Sequence, residues 1–283
     1  MHKYAKHLKG SYKMSRKKLA VIGYGNMAKA IVKGVLDFGT EISEIIVFDI
    51  NTDQYKSLEN SSIISFSASM EDAVSKADSV LLSVKPQNFP DILPKIKNIK
   101  GYEEKLYISI AAGISTQSIG ESLNNADVVR VLPNIPMTIG QGVSVVCKND
   151  NVENGDFDFV KTLFCASGSV LEIEESEINR FIGVTSSSPA YVFKFVDAIC
   201  KGAESQGISY ERVLNTVCDV LIGSALMLKN GELSPEELIS RVASKGGPTE
   251  RALKTLDEYN FTEGVVTAMM ACTDRADELG SIK

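Results

Sequence analysis

Hydrophobic runs alternate with amphipathic stretches between residues 17 and 174. Most of these runs are continuous and rich in β-branched residues, which is typical of strands buried on both faces of a sheet. The predicted strands are Leu19–Ile22, Ile45–Phe48, Ser79–Val84, Leu106–Ile110, Val128–Leu132, Val143–Val146 and Val170–Ile173. The predicted helices between them are Ala28–Phe38, Thr52–Leu58, Met70–Lys76 and Thr116–Asn124. This alternation predicts an α/β fold with a Rossmann-type doubly wound parallel sheet.

The strand pattern ends near residue 175, and only helical periodicity follows it. The predicted helices of this part are 177–206, 210–230, 235–243, 249–259 and 262–279. The stretches 217–228 and 264–273 are more apolar than a small helical domain can bury by itself. We therefore expect them to lie in the shared core of a homodimer. The pattern predicts a Rossmann-type domain over residues 17–174 and an all-α dimerisation domain over residues 175–283.

The composition is that of a globular protein, because 44% of the 283 residues are hydrophobic and 23% are charged. No apolar run reaches the roughly 18 residues of a membrane span, and the N-terminus lacks the apolar segment of a signal peptide. The five cysteines are scattered without a CxxC pair, which predicts neither a disulfide framework nor a metal site. We therefore expect a cytoplasmic protein with no membrane partner.

The charge is uneven along the chain. Residues 1–18 carry seven basic side chains and no acidic one, so the total of −6 leaves −13 on residues 19–283. An acidic body argues against a nucleic-acid partner, and we expect residues 1–16 to be a disordered basic extension. Both histidines, His2 and His7, lie in that extension. The folded body must therefore work without histidine acid–base catalysis and without histidine metal ligands.

The first predicted strand leads into the motif Gly23-x-Gly25-x-x-Ala28, and an amphipathic helix follows. A dinucleotide-binding turn requires this strand–turn–helix context. Gly23 permits the tight turn, Gly25 lets a pyrophosphate approach the backbone, and Ala28 allows the helix to pack closely on the strand. A plain structural turn is the alternative. The predicted cofactor-binding residues here are Ile22, Gly23, Tyr24, Gly25, Asn26 and Met27.

Asp49 follows the second predicted strand, 24 residues after Gly25. A carboxylate at this point commonly binds the ribose hydroxyls of the adenosine, and its charge repels a 2′-phosphate. No arginine lies nearby, and Lys56 is the nearest basic residue along the following segment. The charge therefore slightly favours NADH as the cofactor and leaves NADPH open. A turn-forming aspartate without any cofactor role is the alternative.

Two further strand ends carry small or rigid residues. Ligands of open α/β sheets bind outside the carboxyl ends of the strands, so we expect cofactor contacts at both ends. The predicted contact residues are Ser83, Val84, Lys85 and Pro86 after one strand, and Ala111, Ala112 and Gly113 after the next. The segment 131–136, VLPNIP, is predicted to form a rigid loop at the same edge of the sheet.

The segment 244–253, SKGGPTERAL, interrupts a helical region with two glycines and a proline. By itself it is either a plain linker or a loop whose backbone binds a small anion at the start of the next helix. With this segment included, the chain resembles the pyrroline-5-carboxylate reductase family over about residues 17–279. The matching stretches, in order, are GYGNMAKAI, SVKPQ, AAGI, RVLPNIP, SSSPAYVFKFVDA and SKGGPTERAL.

The resemblance implies a reductase that transfers a hydride from NADH or NADPH to the imine carbon of (S)-1-pyrroline-5-carboxylate, giving L-proline in the last step of proline biosynthesis. It also implies a helical domain that dimerises, often into larger rings. A protonated cyclic imine is already a strong electrophile, so a body without histidine is compatible with this reaction.

The resemblance further implies that the 244–249 loop holds the substrate carboxylate and that Thr249 lies beside the ring nitrogen as the catalytic residue. The predicted substrate-binding residues are Ser244, Gly246, Gly247, Pro248 and Thr249. The two glycines can adopt positive φ and expose N–H groups, and the proline can occupy the first helical position. Pro248 and Lys245 depart from the family pattern, and Pro248 removes one N–H donor.

Two other functions fit parts of the pattern. A β-hydroxyacid dehydrogenase has a similar glycine-rich turn and helical end, and it needs a catalytic lysine, for which Lys194 is the candidate. Lys194, Asp197, Lys201 and Glu204 share one polar helix face, which favours a solvent-facing Lys194 paired with Asp197. A non-catalytic NAD(P)-sensing protein would keep the fold without turnover. The intact set of loop residues argues against that alternative.

Overall fold

The protein is represented by a computed structural model that describes residues 17–38, 42–57 and 62–280. The predicted basic extension over residues 1–16, with both histidines, lies outside these residues. Leu58 and the side chain of Lys56 also lie outside them. The predicted fold class is confirmed, since a Rossmann-type sheet is followed by a helical region.

The described residues form eight strands in one sheet. The strands are β1 (Lys17–Ile22), β2 (Ile42–Phe48), β3 (Ile64–Phe66), β4 (Ser79–Leu82), β5 (Leu106–Ser109), β6 (Asp127–Leu132), β7 (Gly142–Lys148) and β8 (Gly168–Glu172). Their order is β3-β2-β1-β4-β5-β6-β7-β8, which places the reversal of strand order between β1 and β4. A dinucleotide binds at such a reversal in this class of sheet. All seven predicted strands are present, and β3 was not predicted because three residues carry too little pattern.

The described helices include two that the sequence pattern missed. The helices are α1 (Asn26–Phe38), α2 (Met70–Lys76), α3 (Phe89–Lys97), α4 (Thr116–Ser122), α5 (Asn154–Cys165), α6 (Glu175–Ile178), α7 (Ser188–Glu204), α8 (Tyr210–Asn230), α9 (Pro235–Val242), α10 (Pro248–Glu258) and α11 (Phe261–Gly280). The missed helices are α3, which contains Pro94, and α5, which begins with the turn-like pair Asn154-Gly155. The helix predicted over Thr52–Leu58 is a 3₁₀ helix over Thr52–Ser57.

One strand pair departs from the predicted parallel pattern. β7 runs antiparallel to β6, whereas β8 runs parallel to β7. The connection between β6 and β7 spans only residues 133–141, part of which is a 3₁₀ helix over Ile135–Ile139. A parallel pair needs a crossover of a dozen or more residues, so a connection of this length can join only an antiparallel pair.

Helices cover both faces of the sheet, and each strand therefore contributes to two apolar layers. Leu19 and Val21 of β1 lie in one buried cluster with side chains of α1 and α5. Ala20 and Ile22 lie in the other cluster with side chains of α2 and α3. This alternation of faces explains why the strands read as continuous hydrophobic runs in the sequence.

The helix predicted over 177–206 is divided in the structure. A π-helical turn over Ile182–Ser186 lies between α6 and α7. Pro189 has no N–H to donate to the carbonyl of Thr185, four residues earlier. Asn134 donates its Nδ2–H to that carbonyl instead, at 3.1 Å. The predicted VLPNIP loop is thus anchored to this turn, which satisfies a backbone group that the proline leaves unpaired.

The chain divides into two compact units, Met1–Ser187 with Ala271–Lys283 and Ser188–Met270. The first unit holds the sheet, α1 to α6 and the end of α11. The second holds α7 to α10 and the beginning of α11. The predicted boundary between the two domains, 17–174 and 175–283, stays a prediction.

Few side chains are buried within the second unit. Among residues 188–270, all of which are described, the buried apolar side chains are Val196 and Cys200. The large exposed apolar residues include Phe193, Val220, Ile222, Leu226, Met227, Val266 and Met270. An exposed apolar surface of this kind marks an interaction face. By length and composition α8 could also cross a membrane, which for a single helix is weak evidence.

Candidate functional site

The glycine-rich turn lies where β1 meets α1. Gly23 has φ +89, and a Cβ there would lie 2.7 Å from the Ser83 carbonyl oxygen and 2.9 Å from Val84 Cγ1. Glycine is the residue that fits this turn without moving the end of β4. Gly25 is exposed, and no described atom outside its own neighbours lies within 4 Å of its notional Cβ. Gly23 thus serves the fold, whereas Gly25 keeps space open in front of the backbone.

Asp49 is attached to the glycine-rich turn. Its Oδ2 accepts the Tyr24 N–H at 2.5 Å, and its Oδ1 accepts the Asn51 N–H at 2.7 Å. The Tyr55 hydroxyl lies 2.7 Å from both the N and the O of the Asp49 backbone. Each carboxylate oxygen keeps a second lone pair, so ribose hydroxyls can still donate to it. Asp49 therefore has a structural role at the turn that the sequence interpretation did not include.

The other residues of the glycine-rich turn differ in how deeply they are buried. Tyr24 and Ala28 are buried, Met27 is half-buried, and Asn26 is exposed at the start of α1. Burial raises the pKa of Tyr24 to about 12. The exposed start of α1 at Asn26 leaves the unpaired N–H groups of the helix end available to an anion.

The two further strand ends differ in what they contact. Ser83 and Val84 lie against the glycine-rich turn, as the distances from Gly23 show, and they lead into a 3₁₀ helix over Pro86–Asn88. Lys85 is exposed at the start of that helix. The first strand end thus joins the predicted cofactor site directly.

At the end of β5, Gly113 is buried with φ +81, and a Cβ there would lie 2.4 Å from the Ala276 carbonyl oxygen of α11. Ala111 is buried and Ala112 is half-buried. The requirement for glycine at this strand end therefore comes from packing against the last helix. A cofactor contact at Ala111, Ala112 or Gly113 stays a prediction.

A buried arginine connects four elements of the first unit. Arg130 of β6 is 2% exposed, donates to Asn179 Oδ1 at 2.6 Å and lies 3.8 Å from Glu175 Oε1. Glu175 in turn accepts the N–H and the hydroxyl of Thr116, at 2.7 and 2.5 Å. Asn179 donates to Asp277 of α11 at 2.7 Å. Burial lowers the pKa of Arg130, and the nearby Glu175 carboxylate acts in the opposite direction. The network joins β6, α4, α6 and α11.

Replacing Glu175 with glutamine is expected to lower the free energy of unfolding by about 1–2 kcal/mol. The substitution removes the charge beside Arg130. It also replaces one of the two carboxylate oxygens that accept from Thr116 with an NH2 group, which can only donate. Urea unfolding at a fixed protein concentration measures the change. Glu177→Gln, an exposed position of the same helix, is the matched control and should leave the stability unchanged. Equal stability of the two variants would contradict a stabilising role for the network.

The segment 244–249 joins α9 to α10 and starts the second helix. Gly246 has φ +73, whereas Gly247 has φ −82 and ψ 168 and caps α10. Pro248 occupies the first helical position, as predicted. The expectation of positive φ at both glycines is therefore wrong for Gly247. Its Cβ would instead lie 2.7 Å from Ser244 Oγ, so a close approach requires glycine there.

The N–H groups of both glycines are used within the chain. Gly247 donates to the Ser244 carbonyl at 2.9 Å, which closes a tight turn. Gly246 donates to Glu250 Oε2 at 2.8 Å. The predicted exposed N–H groups are thus occupied. Glu250 is the residue that the sequence interpretation missed, although a glutamate three residues after a helix N-cap is the spacing of a capping box.

The sheet order and the glycine-rich turn together define a Rossmann-type domain of the class that binds dinucleotides, and a helical region follows it. Two family models match the chain. "NADP oxidoreductase coenzyme F420-dependent" matches residues 18–113, and "Pyrroline-5-carboxylate reductase dimerisation" matches residues 175–279. Reductases of this name that are 32% and 36% identical over more than nine tenths of the chain show that the chain belongs to the pyrroline-5-carboxylate reductase family. The resemblance inferred from the sequence is confirmed.

Relatives match nearly the whole chain. The pyrroline-5-carboxylate reductase of Vibrio alginolyticus is 36% identical over 269 residues, which cover 94% of this chain and 98% of the relative. The enzyme of Aquifex aeolicus is 32% identical over 265 residues, covering 93% and 97%. The crystal structure of Plasmodium falciparum pyrroline carboxylate reductase with NADP bound has a TM-score of 0.85 at 26% identity, covering 95% of this chain and 100% of that one.

Proposed function

We propose that the protein is a pyrroline-5-carboxylate reductase that converts (S)-1-pyrroline-5-carboxylate into L-proline with NADH or NADPH, as the last step of proline biosynthesis. The similarity to reductases of this name over more than nine tenths of both chains carries the proposal. It spans both the glycine-rich turn and the 244–249 loop. We propose that the reaction takes place in the cytoplasm.

The residues of the glycine-rich turn fit a dinucleotide. Gly25 leaves open space where a Cβ would otherwise stand, and the exposed start of α1 offers N–H groups to phosphates. Ile22 to Met27, Asp49, Ser83 to Pro86 and Ala111 to Gly113 are the proposed cofactor-binding residues. When bound, the reduced nicotinamide supplies the hydride that converts the imine into an amine.

The 244–249 loop is the proposed site of the substrate carboxylate. Its main-chain N–H groups and the Ser244 hydroxyl are donors of the kind that bind a carboxylate at a helix start. The Thr249 hydroxyl lies at the second position of α10 and is half-buried. In this proposal it accepts a hydrogen bond from the protonated ring nitrogen and orients the imine. The substrate enters already protonated, so the loop needs no histidine.

Initial rates with pyrroline-5-carboxylate and each reduced cofactor test the function. We expect NADH or NADPH oxidation that depends on the imine and yields proline in equal amounts. Cofactor binding without turnover of any cyclic imine would support a sensing protein instead. Oxidation of 3-hydroxy acids would support a dehydrogenase.

Neither rival function gains support from the site. Lys194 is exposed, and Asp197 pairs with Lys201 at 2.7 Å, so the predicted partner of Lys194 is taken by the next turn of the helix. The exposed position of Lys194 matches the solvent-facing lysine that the polar helix face predicted. The similarity to named reductases over the whole chain also disfavours both alternatives.

We propose NADH as the preferred cofactor because Asp49 would lie near a 2′-phosphate. The residue that follows it, Ile50, is 91% exposed and offers no positive charge. The Plasmodium falciparum relative was crystallised with NADP, so the family does not exclude the phosphorylated cofactor.

Asp49→Asn is expected to improve NADPH binding relative to NADH by about tenfold, because it removes one negative charge near the 2′-phosphate. The lost Tyr24 or Asn51 contact weakens both cofactors alike, so the ratio of the two dissociation constants is the relevant quantity. Fluorescence titration of each cofactor without substrate measures it. Asp53→Asn changes an exposed carboxylate in the following 3₁₀ helix and should leave the ratio of the dissociation constants unchanged. If Asp49→Asn also leaves this ratio unchanged, Asp49 does not contact the adenosine.

Self-association of the helical unit is also proposed. The match to a dimerisation family over residues 175–279 and the exposed apolar residues of α7, α8 and α11 support a homodimer, with larger rings as an extension of it. A dimer would cover the apolar face of α8 without any membrane. We propose no nucleic-acid partner, since the body of the chain is acidic.

A further inference from the structure

The loop before α10 carries a carboxylate of its own. Glu250, which is half-buried, accepts the N–H of exposed Gly246 at 2.8 Å through Oε2. A comparable contact occurs at the start of α9, where Glu237 accepts the Ser234 N–H at 2.7 Å. At α9 the contact is part of a capping box on the N-cap Ser234, whereas at α10 the glutamate reaches the residue before the N-cap Gly247. The Gly246 amide belongs to the loop on which the proposed function puts the substrate carboxylate.

The glycine–proline part of the loop, residues 246–249, has few amides to offer an external carboxylate. Among residues 246–249, all of which are described, Pro248 has no N–H and Gly247 donates to the Ser244 carbonyl at 2.9 Å. The amides of Gly246 and Thr249 remain for a ligand that leaves this turn intact. Glu250 already occupies the first of these two. A substrate carboxylate at the Gly246 N–H would find this donor already bonded to Glu250, and the negative charge of Glu250 would repel it.

We propose that Glu250 competes with the substrate carboxylate for the Gly246 N–H, and so sets the affinity of the enzyme for carboxylate-bearing imines. This inference rests on the proposed function. Substrate binding then requires the Glu250 side chain to leave the amide, and product release lets it return.

The displaced carboxylate has another partner one turn along the helix. Lys254 Nζ lies 3.6 Å from Glu250 Oε1, and the two residues are four positions apart on α10. A rotation of the Glu250 side chain towards Lys254 therefore exchanges one charge-assisted contact for another. Side-chain exposures of 37% and 62% mean that solvent screens both states. We accordingly expect the competition to change affinity several-fold and not by orders of magnitude.

Glu250→Gln tests the competition. The amide is a weaker acceptor without charge, so the KM for pyrroline-5-carboxylate should fall by about 3- to 10-fold. The kcat and the dissociation constant of the reduced cofactor should stay within about twofold. Glu237→Gln is the matched control, because it makes the same change in the same kind of contact at α9, and its KM should equal that of the parent.

A carboxylate-free imine separates competition from a general effect on the loop. With 1-pyrroline as substrate, Glu250→Gln should not lower the KM, because no second carboxylate needs the Gly246 amide. A lower KM for both imines, or an unchanged or raised KM for pyrroline-5-carboxylate, overturns the inference. A parent protein that reduces neither imine overturns the proposed function itself, which is a different result.

A second variant keeps the test valid if Glu250→Gln does not fold. Lys254→Met leaves Glu250 in place but removes the partner of its displaced state, at an exposed position of α10. The KM for pyrroline-5-carboxylate should then rise by about two- to threefold. An unchanged KM in this variant, with a normal thermal unfolding profile, overturns the inference.

Discussion

Gly25→Ala is expected to weaken binding of the reduced cofactor by about 100-fold while the protein without cofactor stays as stable as the parent. The new methyl group meets no described atom within 4 Å, and Gly25 is not among the glycines with positive φ. It fills the space through which a pyrophosphate would approach the backbone. Fluorescence titration gives the dissociation constant, and thermal unfolding without cofactor gives the stability.

Gly23→Ala is the comparison for Gly25→Ala, because it should weaken cofactor binding and also lower the stability of the protein without cofactor. At φ +89, with a Cβ 2.7 Å from the Ser83 carbonyl oxygen, the variant should lose about 2–3 kcal/mol of stability as well as cofactor binding. Gly155→Ala, at an open position in α5, is the control and should lower neither stability nor cofactor binding. Cofactor binding by Gly25→Ala with the affinity of the parent would show that this turn is not the dinucleotide site.

Thr249→Ala is expected to lower kcat by about 10- to 100-fold with the cofactor dissociation constant unchanged. The alanine removes the hydroxyl proposed to orient the ring nitrogen, and it leaves the first turn of α10 otherwise intact. Thr249→Ser keeps a hydroxyl and should recover most of the rate. Steady-state kinetics with saturating cofactor measure the effect.

Thr255→Ala provides the matched control for Thr249→Ala. Thr255 lies half-buried on the same helix, and its hydroxyl donates to the Arg251 carbonyl at 3.2 Å. Losing that contact should leave kcat unchanged. If Thr249→Ala also turns over at the parental rate, Thr249 takes no part in the reaction.

The fold could be predicted well where the pattern is continuous. The strands β1, β4 and β5 read as nearly continuous apolar runs because two layers of helices cover them. The run of β6 is interrupted by Arg130. The direction of β7 could not be read from its own residues, because strand composition is the same for parallel and antiparallel pairs. The length of the 133–141 connection decided it.

The candidate site could be predicted as a set of residues but not as a set of contacts. The glycine spacing indicated the turn, and the structure then brought Gly23 against Ser83 and Tyr24 against Asp49. Gly113 was predicted to contact the cofactor, yet its close neighbour is Ala276, far along the chain. The contact of Glu250 with Gly246 is local, and the spacing of a capping box could have indicated it.

The sequence by itself determined the alternation of strands and helices, the glycine-rich turn, the glycine–proline loop and a body without histidine, because each depends on residues that are close in the chain. Only the tertiary structure decided that Asp49 holds the turn, that Asn134 pairs with the Thr185 carbonyl and that Arg130 meets Glu175. These partners are set by which polar groups become buried together, and a buried polar group must find a partner wherever packing brings one.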